Sequence, residues 1–145
     1  MARSWEIVEW SAAPPERVWE LLADARGWPA WAAFSHAALE REGAPTADGV
    51  GAVRAFGTGP VRSREEVVAF EPPRHFAYVL QRGLPVRGYR ADVVLEPTGA
   101  GTRICWSSSF VTAVVPGTAA GLEWFLRTFI RDTARRLARA AERAG

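Results

Sequence analysis

The chain has 145 residues, of which 48% are hydrophobic and 23% charged, a size and composition typical of one globular domain, so we predict a single domain over residues 1–145. Eighteen basic residues, all of them arginine, oppose sixteen acidic ones; this is far from the concentrated positive field that nucleic-acid binding needs, and no nucleic-acid partner is expected. One cysteine, two histidines and no long apolar run argue against a disulfide, a metal site and an integral membrane span.

Two short helices follow an opening strand in the predicted order of elements. Residues 4–11 mix β-branched and aromatic side chains and indicate a strand. Pro14 and Pro15 then mark the first turn of a helix, because proline is tolerated where an amide has no helical partner. Apolar residues at helical spacing extend this helix over 16–23. Asp24 can cap a second short helical element, which a glycine and a proline interrupt.

Six β-rich segments come next, separated by turns that contain glycine and proline. They cover residues 36–42, 50–57, 61–71, 74–82, 86–96 and 102–111. Because short turns join antiparallel neighbours, these segments predict an antiparallel meander. Together with the opening strand they make a sheet of seven strands.

Strict alternation in three of these segments separates an apolar face from a wetter face. The residues expected to face inward are Phe76, Tyr78, Leu80, Tyr89, Ala91, Val93, Leu95, Ile104, Trp106, Ser108 and Phe110. The segment 61–71 combines charged residues with a continuous apolar run, which is typical of a bulged strand. The sequence therefore leaves its inward face open.

A long helix over residues 118–143 follows the last strand. Its apolar stripe, wide enough to lie against a sheet, consists of Leu122, Phe125, Leu126, Phe129, Ile130, Thr133 and Leu137. Arginines recur every fourth residue from Arg127 to Arg143, which favours a solvated outer face; an anionic membrane surface or an acidic partner is the alternative. The predicted fold class is α+β, with a curved antiparallel sheet that closes over this helix.

Three local phrases resemble the bacterial polyketide cyclase/dehydrase branch of the START/Bet v 1-like (SRPBCC) superfamily. They are residues 13–24 (APPERVWELLAD) with Trp28 and Trp31 after them, residues 70–78 (FEPPRHFAY) and residues 99–106 (GAGTRICW). With the order of the elements, the resemblance covers essentially the whole chain. It implies the helix-grip fold, in which a seven-stranded curved antiparallel sheet, two short helices and one long C-terminal helix enclose a cavity.

The resemblance also implies a function for that cavity. It would hold a small hydrophobic molecule, either aromatic and polyketide-like or lipid-like, and any activity would be a metal-free cyclisation or dehydration that needs no cofactor. The alternative is a non-enzymatic regulatory or protein-interaction module with a vestigial cavity. A homodimer is left open. The single cysteine and an N-terminus without a signal-like apolar stretch favour the cytoplasm.

Four polar residues are candidates for chemistry in such a cavity, namely Arg64, Glu66, Tyr78 and Tyr89. An arginine can stabilise an enolate, and a tyrosine or a buried carboxyl can move a proton. Each has a structural alternative: the tyrosines can be core residues with hydrogen-bonded hydroxyls, and Arg64 can pair with Glu66. The residues expected to contact the ligand are Trp28, Trp31, Phe34, Phe56, Tyr78, Leu80, Tyr89, Trp106, Ser108, Phe110, Phe125 and Phe129.

Overall fold

The computed structural model describes residues 2–143. In chain order its elements are β1 (Arg3–Ser11), α1 (Pro15–Ala23), a 3-10 helix (Ala25–Ala30), β2 (His36–Arg41), β3 (Val53–Thr58), β4 (Val61–Glu71), β5 (His75–Arg82), β6 (Val86–Arg87), β7 (Arg90–Thr98), β8 (Gly101–Phe110), β9 (Thr112–Ala113) and α2 (Ala119–Arg143). The predicted α+β class, the two short helices and the long C-terminal helix are confirmed. Within these residues no helix combines the length and the hydropathy needed to cross a bilayer.

Seven strands form one antiparallel sheet in the order β1-β8-β7-β5-β4-β3-β2. This confirms the predicted seven-stranded sheet and its meander. The first strand pairs along its whole length with β8, from Arg3 opposite Phe110 to Ser11 opposite Thr102. That pairing joins segments from opposite ends of the chain, so no local sequence pattern could show it. It leaves β1 and β2 at the two edges of the sheet.

The predicted strand at 86–96 is divided in the structure. Its first part, β6, leaves the large sheet and pairs with β9 in a two-stranded ribbon. Gly88, at a φ of +70°, separates β6 from β7. Side chains larger than hydrogen rarely adopt that left-handed conformation, so the glycine permits the break.

Strand β4 shows which face of the segment 61–71 points inward. Its pairing with β5 shifts at two places, next to Glu65 and next to Val67, as expected for a bulged strand. Between these shifts Glu65 and Val67 lie opposite Leu80 and Tyr78 on the inner face. Their exposed fractions are only 7% and 0%. Arg64 is turned to the outer face.

The two halves of α2 lie against the sheet differently. The C-terminal half buries small side chains, since Ala134, Ala138 and Ala141 are all fully buried. Small residues let a helix approach its neighbours closely, because the distance between packed elements depends on the side chains at the contact. The N-terminal half instead carries the bulky Phe125 and Phe129. The space under α2 is therefore closed at one end and open at the other.

Hydrogen bonds hold the closed end together. Ser11 Oγ donates to the carbonyl of Ala138 at 2.9 Å, and these two residues join β1 to α2. The Ala12 N–H donates to the Glu142 carboxylate at 2.8 Å, and this bond lowers the pKa of Glu142. Thr102 Oγ1 donates to the Ala13 carbonyl at 2.7 Å and anchors the entry to α1. These contacts confine the ligand-sized space to the other end of the sheet.

Candidate functional site

A cavity of about 380 Å³ lies between the inner faces of β3, β4 and β5 and the N-terminal half of α2. Its volume falls at the lower end of the range for small-molecule sites. It is lined by Phe34, Phe56, Gly57, Thr58, Val61, Ser63, Glu65, Tyr78, Leu80, Gly83, Leu84, Tyr89, Phe125, Leu126, Phe129 and Ile130. Because most of these side chains are apolar, the wall favours an apolar body in the ligand.

Aromatic rings make up one side of the cavity. Phe34 and Phe56 stack with their ring centroids 5.0 Å apart, and Phe34 also meets Phe129 at 5.4 Å. Phe125 stacks on Phe129 at 6.4 Å along α2. Parallel, flat surfaces of this kind give a planar ligand a large contact area.

The mouth of the cavity is formed by turns and by the start of α2. Val61 and Phe125 stand at its rim with exposed fractions of 65% and 50%. Gly83 has a φ of +119°, and a Cβ placed there would lie 2.6 Å from the Cα of Ser63. A larger residue would thus be strained and would push the turn at Gly83 away from β4 at the mouth.

A buried ion pair lies beneath the cavity. Arg54 is fully buried on β3 and stands directly opposite Glu65 on β4. Its Nε and one terminal nitrogen both donate to Oε1 of Glu65, at 3.1 and 2.5 Å. Its other terminal nitrogen donates to the carbonyl of Leu22 at 3.1 Å. This carbonyl lies in the last turn of α1, where helical carbonyls lack helical partners.

Aromatic rings cover the faces of the Arg54 guanidinium. Its central carbon lies 4.7 Å from the ring centre of Phe76, 4.8 Å from that of Trp28 and 5.0 Å from that of Phe56. A guanidinium is attracted to the faces of such rings, and the attraction strengthens when water is excluded. Trp28 Nε1 donates to the same Leu22 carbonyl at 3.1 Å. Arg54 is thereby enclosed and shares no surface with the cavity.

Glu65, in contrast, belongs to the cavity wall. Burial raises the pKa of its carboxyl, while the charge and hydrogen bonds of Arg54 act in the opposite direction. Both bonds from Arg54 go to Oε1. Oε2 accepts no hydrogen bond from any side chain or amide among residues 2–143. It is the acceptor that a ligand can reach.

Two tyrosines lie beside this carboxyl at the deep end of the cavity. Their rings are 6.4 Å apart, and the Tyr89 hydroxyl donates to Ser108 Oγ at 3.3 Å. Burial raises the pKa of Tyr89 to about 12 and that of Tyr78 well above its ordinary value. The charge of Glu65 acts in the same direction on both. Both tyrosines therefore stay protonated at neutral pH.

The structure places seven of the residues that the sequence nominated as ligand contacts in the cavity wall. They are Phe34, Phe56, Tyr78, Leu80, Tyr89, Phe125 and Phe129. The other five are buried in the core but do not line the cavity: Trp28, Trp31, Trp106, Ser108 and Phe110. Alternation shows which face of a strand is buried, but not whether a buried side chain meets the cavity or is covered by other side chains. Phe110, for example, packs against Trp5 with ring centroids 6.1 Å apart, and Ser108 accepts a hydrogen bond from Tyr89.

The sequence nominates Arg64 and Glu66 as candidates while it leaves the inward face of residues 61–71 open, and the structure places both on the outer face. Arg64 Nε donates to Glu40 Oε1 at 2.5 Å on the outer face. Glu66 accepts a bond from Gln81 at 3.0 Å and lies 3.5 Å from Arg41. The reason is the register of β4, which sends Glu65 inward and its two charged neighbours outward.

Sequence reasoning missed both members of the buried pair. Arg54 stands in a short apolar run, between Val53 and Ala55 and two residues before Phe56. On a strand, residues two apart share a face, so an inward Phe56 requires an inward Arg54. An arginine on the apolar face of a strand needs a buried acidic partner, and this was the available signal.

The outer face of the sheet carries a second polar cluster. Asp92 accepts bonds from Arg90 at 2.8 Å and lies 2.7 Å from His75 Nε2. The bonds from Arg90 and His75 lower the pKa of Asp92. A shallow groove beside the cluster is lined mainly by serines and these charged groups. Nowhere in residues 2–143 do three or more histidine, cysteine or acidic side chains meet as metal ligands would.

A family profile described as polyketide cyclase/dehydrase and lipid transport matches residues 7–142 of the chain. The match includes every strand of the cavity wall and all but the last residue of α2. No curated protein sequence matches the chain at a significant level.

Solved structures are similar to this chain at low sequence identity. The di-domain ARO/CYC StfQ from the steffimycin biosynthetic pathway gives a TM-score of 0.79 at 16% identity over 99% of this chain, which spans only 52% of that protein. Ara h 8.0201 gives 0.77 at 14% identity, covering 97% of this chain and 98% of its own. Norcoclaurine synthase from Thalictrum flavum, solved with dopamine and hydroxybenzaldehyde, gives 0.73 at 15%, covering 97% and 86%. At such identities the similarity is one of fold.

Proposed function

This chain belongs to the polyketide cyclase/dehydrase and lipid transport family, and from that premise we propose that it binds a small aromatic or lipid-like molecule in the cavity under α2. Family membership and the shared fold confirm the START/Bet v 1-like resemblance that the sequence showed. The observation that carries the proposal is the 380 Å³ space with a mostly apolar wall and a small polar cluster at its deep end.

In this proposal the apolar part of the cavity wall supplies affinity and the polar part sets the orientation of the ligand. Burying roughly 200 Å² of apolar ligand surface contributes about 5 kcal/mol before the cost of immobilising the ligand. The polar cluster of Glu65, Tyr78 and Tyr89 adds less affinity, but it fixes which end of the ligand enters first. The flat rings of Phe34, Phe56 and Phe129 favour a planar body.

Binding can be tested by filling the cavity. Leu80 lies in the cavity wall, and Val79, one residue earlier, points to the outer face. We expect Leu80→Trp to abolish saturable binding of β-naphthyl methyl ether in isothermal titration calorimetry, because the indole takes the ligand's volume. Val79→Trp is the matched control and should bind like the unaltered chain. Equal binding by both variants, or no binding to the unaltered chain, would overturn the proposal.

A second candidate function is a metal-free cyclisation or dehydration, and Glu65 is the observation that favours it. The Glu65 carboxylate, which pairs with Arg54 through Oε1 and leaves Oε2 without a protein partner among residues 2–143, can take a proton from a carbon between two carbonyls. The enolate would then attack another carbonyl carbon of the same ligand, and the new alkoxide would recover a proton. The Tyr78 hydroxyl, which lines the same cavity, would donate to the developing enolate oxygen.

The catalytic candidate has its own test, which is deuterium exchange at the activated carbon of a β-diketone, followed by NMR. We expect the chain to accelerate exchange and Glu65→Gln to lower the acceleration at least 100-fold, within the range known for general bases. Glu66→Gln, one residue away on the outer face, is the control and should leave the rate unchanged. An exchange rate equal to that in buffer alone would contradict the catalytic candidate and leave only the binding function.

A further inference from the structure

The polar groups of the cavity wall offer a ligand very few hydrogen-bond donors. Thr58 Oγ1 donates to the Ala33 carbonyl at 3.3 Å, and Ser63 Oγ donates to the Phe56 carbonyl at 3.5 Å. Tyr89 donates to Ser108, so the Tyr78 hydroxyl is the side-chain donor in the wall that is left for a ligand. None of the lining side chains is an arginine, lysine or histidine. The wall therefore has no cation to place against a negatively charged ligand.

The one buried cation near the cavity is out of reach. The guanidinium of Arg54 is occupied by Glu65 and by the Leu22 carbonyl. Rings of Trp28, Phe56 and Phe76 cover its faces. An anion in the cavity would meet the carboxylate of Glu65 first, with the positive charge behind it.

We infer that the cavity selects an uncharged ring that carries a hydroxyl, a phenol or the enol of a β-dicarbonyl, and excludes carboxylates. This rests on the proposed binding function. The selecting atom is Oε2 of Glu65, which accepts the ligand hydroxyl while Oε1 stays paired with Arg54. A ligand carboxylate has no proton to donate at that point, and in a site of low polarity its charge is repelled by that of Glu65.

The two tyrosines lie in the field of the same carboxylate. The charge of Glu65 helps to raise the pKa of both Tyr78 and Tyr89, together with burial. At this end of the cavity the ionised form of each tyrosine is therefore disfavoured relative to its neutral form. A bound phenol or carboxylic acid would be subject to the same field.

The test compares three ligands of one shape at neutral pH by isothermal titration calorimetry: β-naphthol, β-naphthyl methyl ether and β-naphthoate. A hydrogen bond to a charged acceptor corresponds to about 10- to 100-fold in affinity, so naphthol should bind tighter than the ether by that factor. Naphthoate should bind at least about 10-fold more weakly than the ether, because it brings a like charge to a site of low polarity. Naphthoate that binds as tightly as naphthol would overturn the inference.

A variant without the charges provides the second arm. Arg54→Met combined with Glu65→Leu replaces the pair by apolar side chains of similar size, a change that buried ion pairs often tolerate. The preference for naphthol over the ether should fall to about 2-fold or less, while the ether still binds. Retention of the full preference in this variant would show that Glu65 is not the selecting group.

The outcomes separate this inference from the proposed function. If none of the three naphthalenes binds to the unaltered chain, the binding function itself fails. If the ether binds and Leu80→Trp abolishes its binding, the function stands. The inference then fails if naphthol binds no tighter than the ether, if naphthoate binds as tightly as naphthol, or if the double variant keeps the full preference for naphthol.

Discussion

Glu65 and Glu66 are neighbours of identical chemistry on opposite faces of one strand. Glu65 is 7% exposed and paired with an arginine that is fully buried. Glu66 is half-buried, and its partners Arg41 and Gln81 lie on the outer face near solvent. The inner pair lost its water when the chain folded, and the outer contacts kept theirs. Moving one residue along a strand therefore decides whether a carboxylate is buried, with a large desolvation penalty, or stays near solvent.

The comparison teaches how to interpret the inner pair. A buried ion pair is a weak stabiliser, because desolvation offsets most of the attraction, and apolar residues could replace it. The outer pairs on Arg64, Arg90 and Arg103 cost little and contribute little. The inner pair is therefore of interest less for stability than for the proposed contact between its free oxygen and a ligand.

The largest expected effect comes from breaking the inner pair. Glu65→Ala should lower the free energy of unfolding by about 3–5 kcal/mol, because Arg54 is left as an uncompensated buried charge. Glu66→Ala should lower it by less than about 1 kcal/mol. Urea denaturation followed by tryptophan fluorescence measures both. Similar values for the two substitutions would contradict the distinction between the faces.

Removing both inner charges should restore most of that loss. In Arg54→Met combined with Glu65→Leu no buried charge stays unpaired, so the unfolding free energy should return to within about 1 kcal/mol of the unaltered chain, or exceed it. The same denaturation experiment applies. A double variant as unstable as Glu65→Ala would mean that the pair itself, rather than its orphaned partner, holds β3 and β4 together.

The pKa of Glu65 on the inner face and that of Asp92 on the outer face should be shifted in opposite directions. Burial raises the pKa of Glu65 above its ordinary 4.5, so its contribution to stability is complete below that pH and is lost as pH rises through the native value. Bonds from Arg90 and His75 lower the pKa of Asp92 below 3.8, so its contribution is present above that pH and is lost as pH falls. Carboxyl carbon NMR titration should place the two midpoints on opposite sides of these values. Midpoints shifted in the same direction would refute this.

The smallest expected effect concerns an outer pair. Arg64 and Glu40 are 40% and 36% exposed, with 2.5 Å between their nearest nitrogen and oxygen. A double-mutant cycle with alanine at both positions should give a coupling energy of about 0.2–1 kcal/mol, reduced further at high salt. A coupling of several kcal/mol would show that a short distance, without burial, is sufficient for a strongly stabilising ion pair.

Much of the fold and part of the site could be predicted from the sequence because they depend on local periodicity. Alternation in residues 74–82 and 86–96 placed Tyr78, Leu80 and Tyr89 on the inner face, and the three-to-four spacing in α2 did the same for Phe129. These patterns depend only on which residues are two, three or four apart in the chain. The seven strands and the long helix followed in the same way.

The tertiary structure alone decided which charges are buried and where the cavity lies. The inward position of Glu65 depends on register shifts between β4 and β5. The burial of Arg54 depends on the rings of Trp28, in the 3-10 helix, and Phe76, in β5. The open end exists because small residues fill only the C-terminal half of α2's contact with the sheet. Strand register and helix packing depend on contacts between residues that are far apart in the chain. The pattern within a single segment therefore cannot predict them.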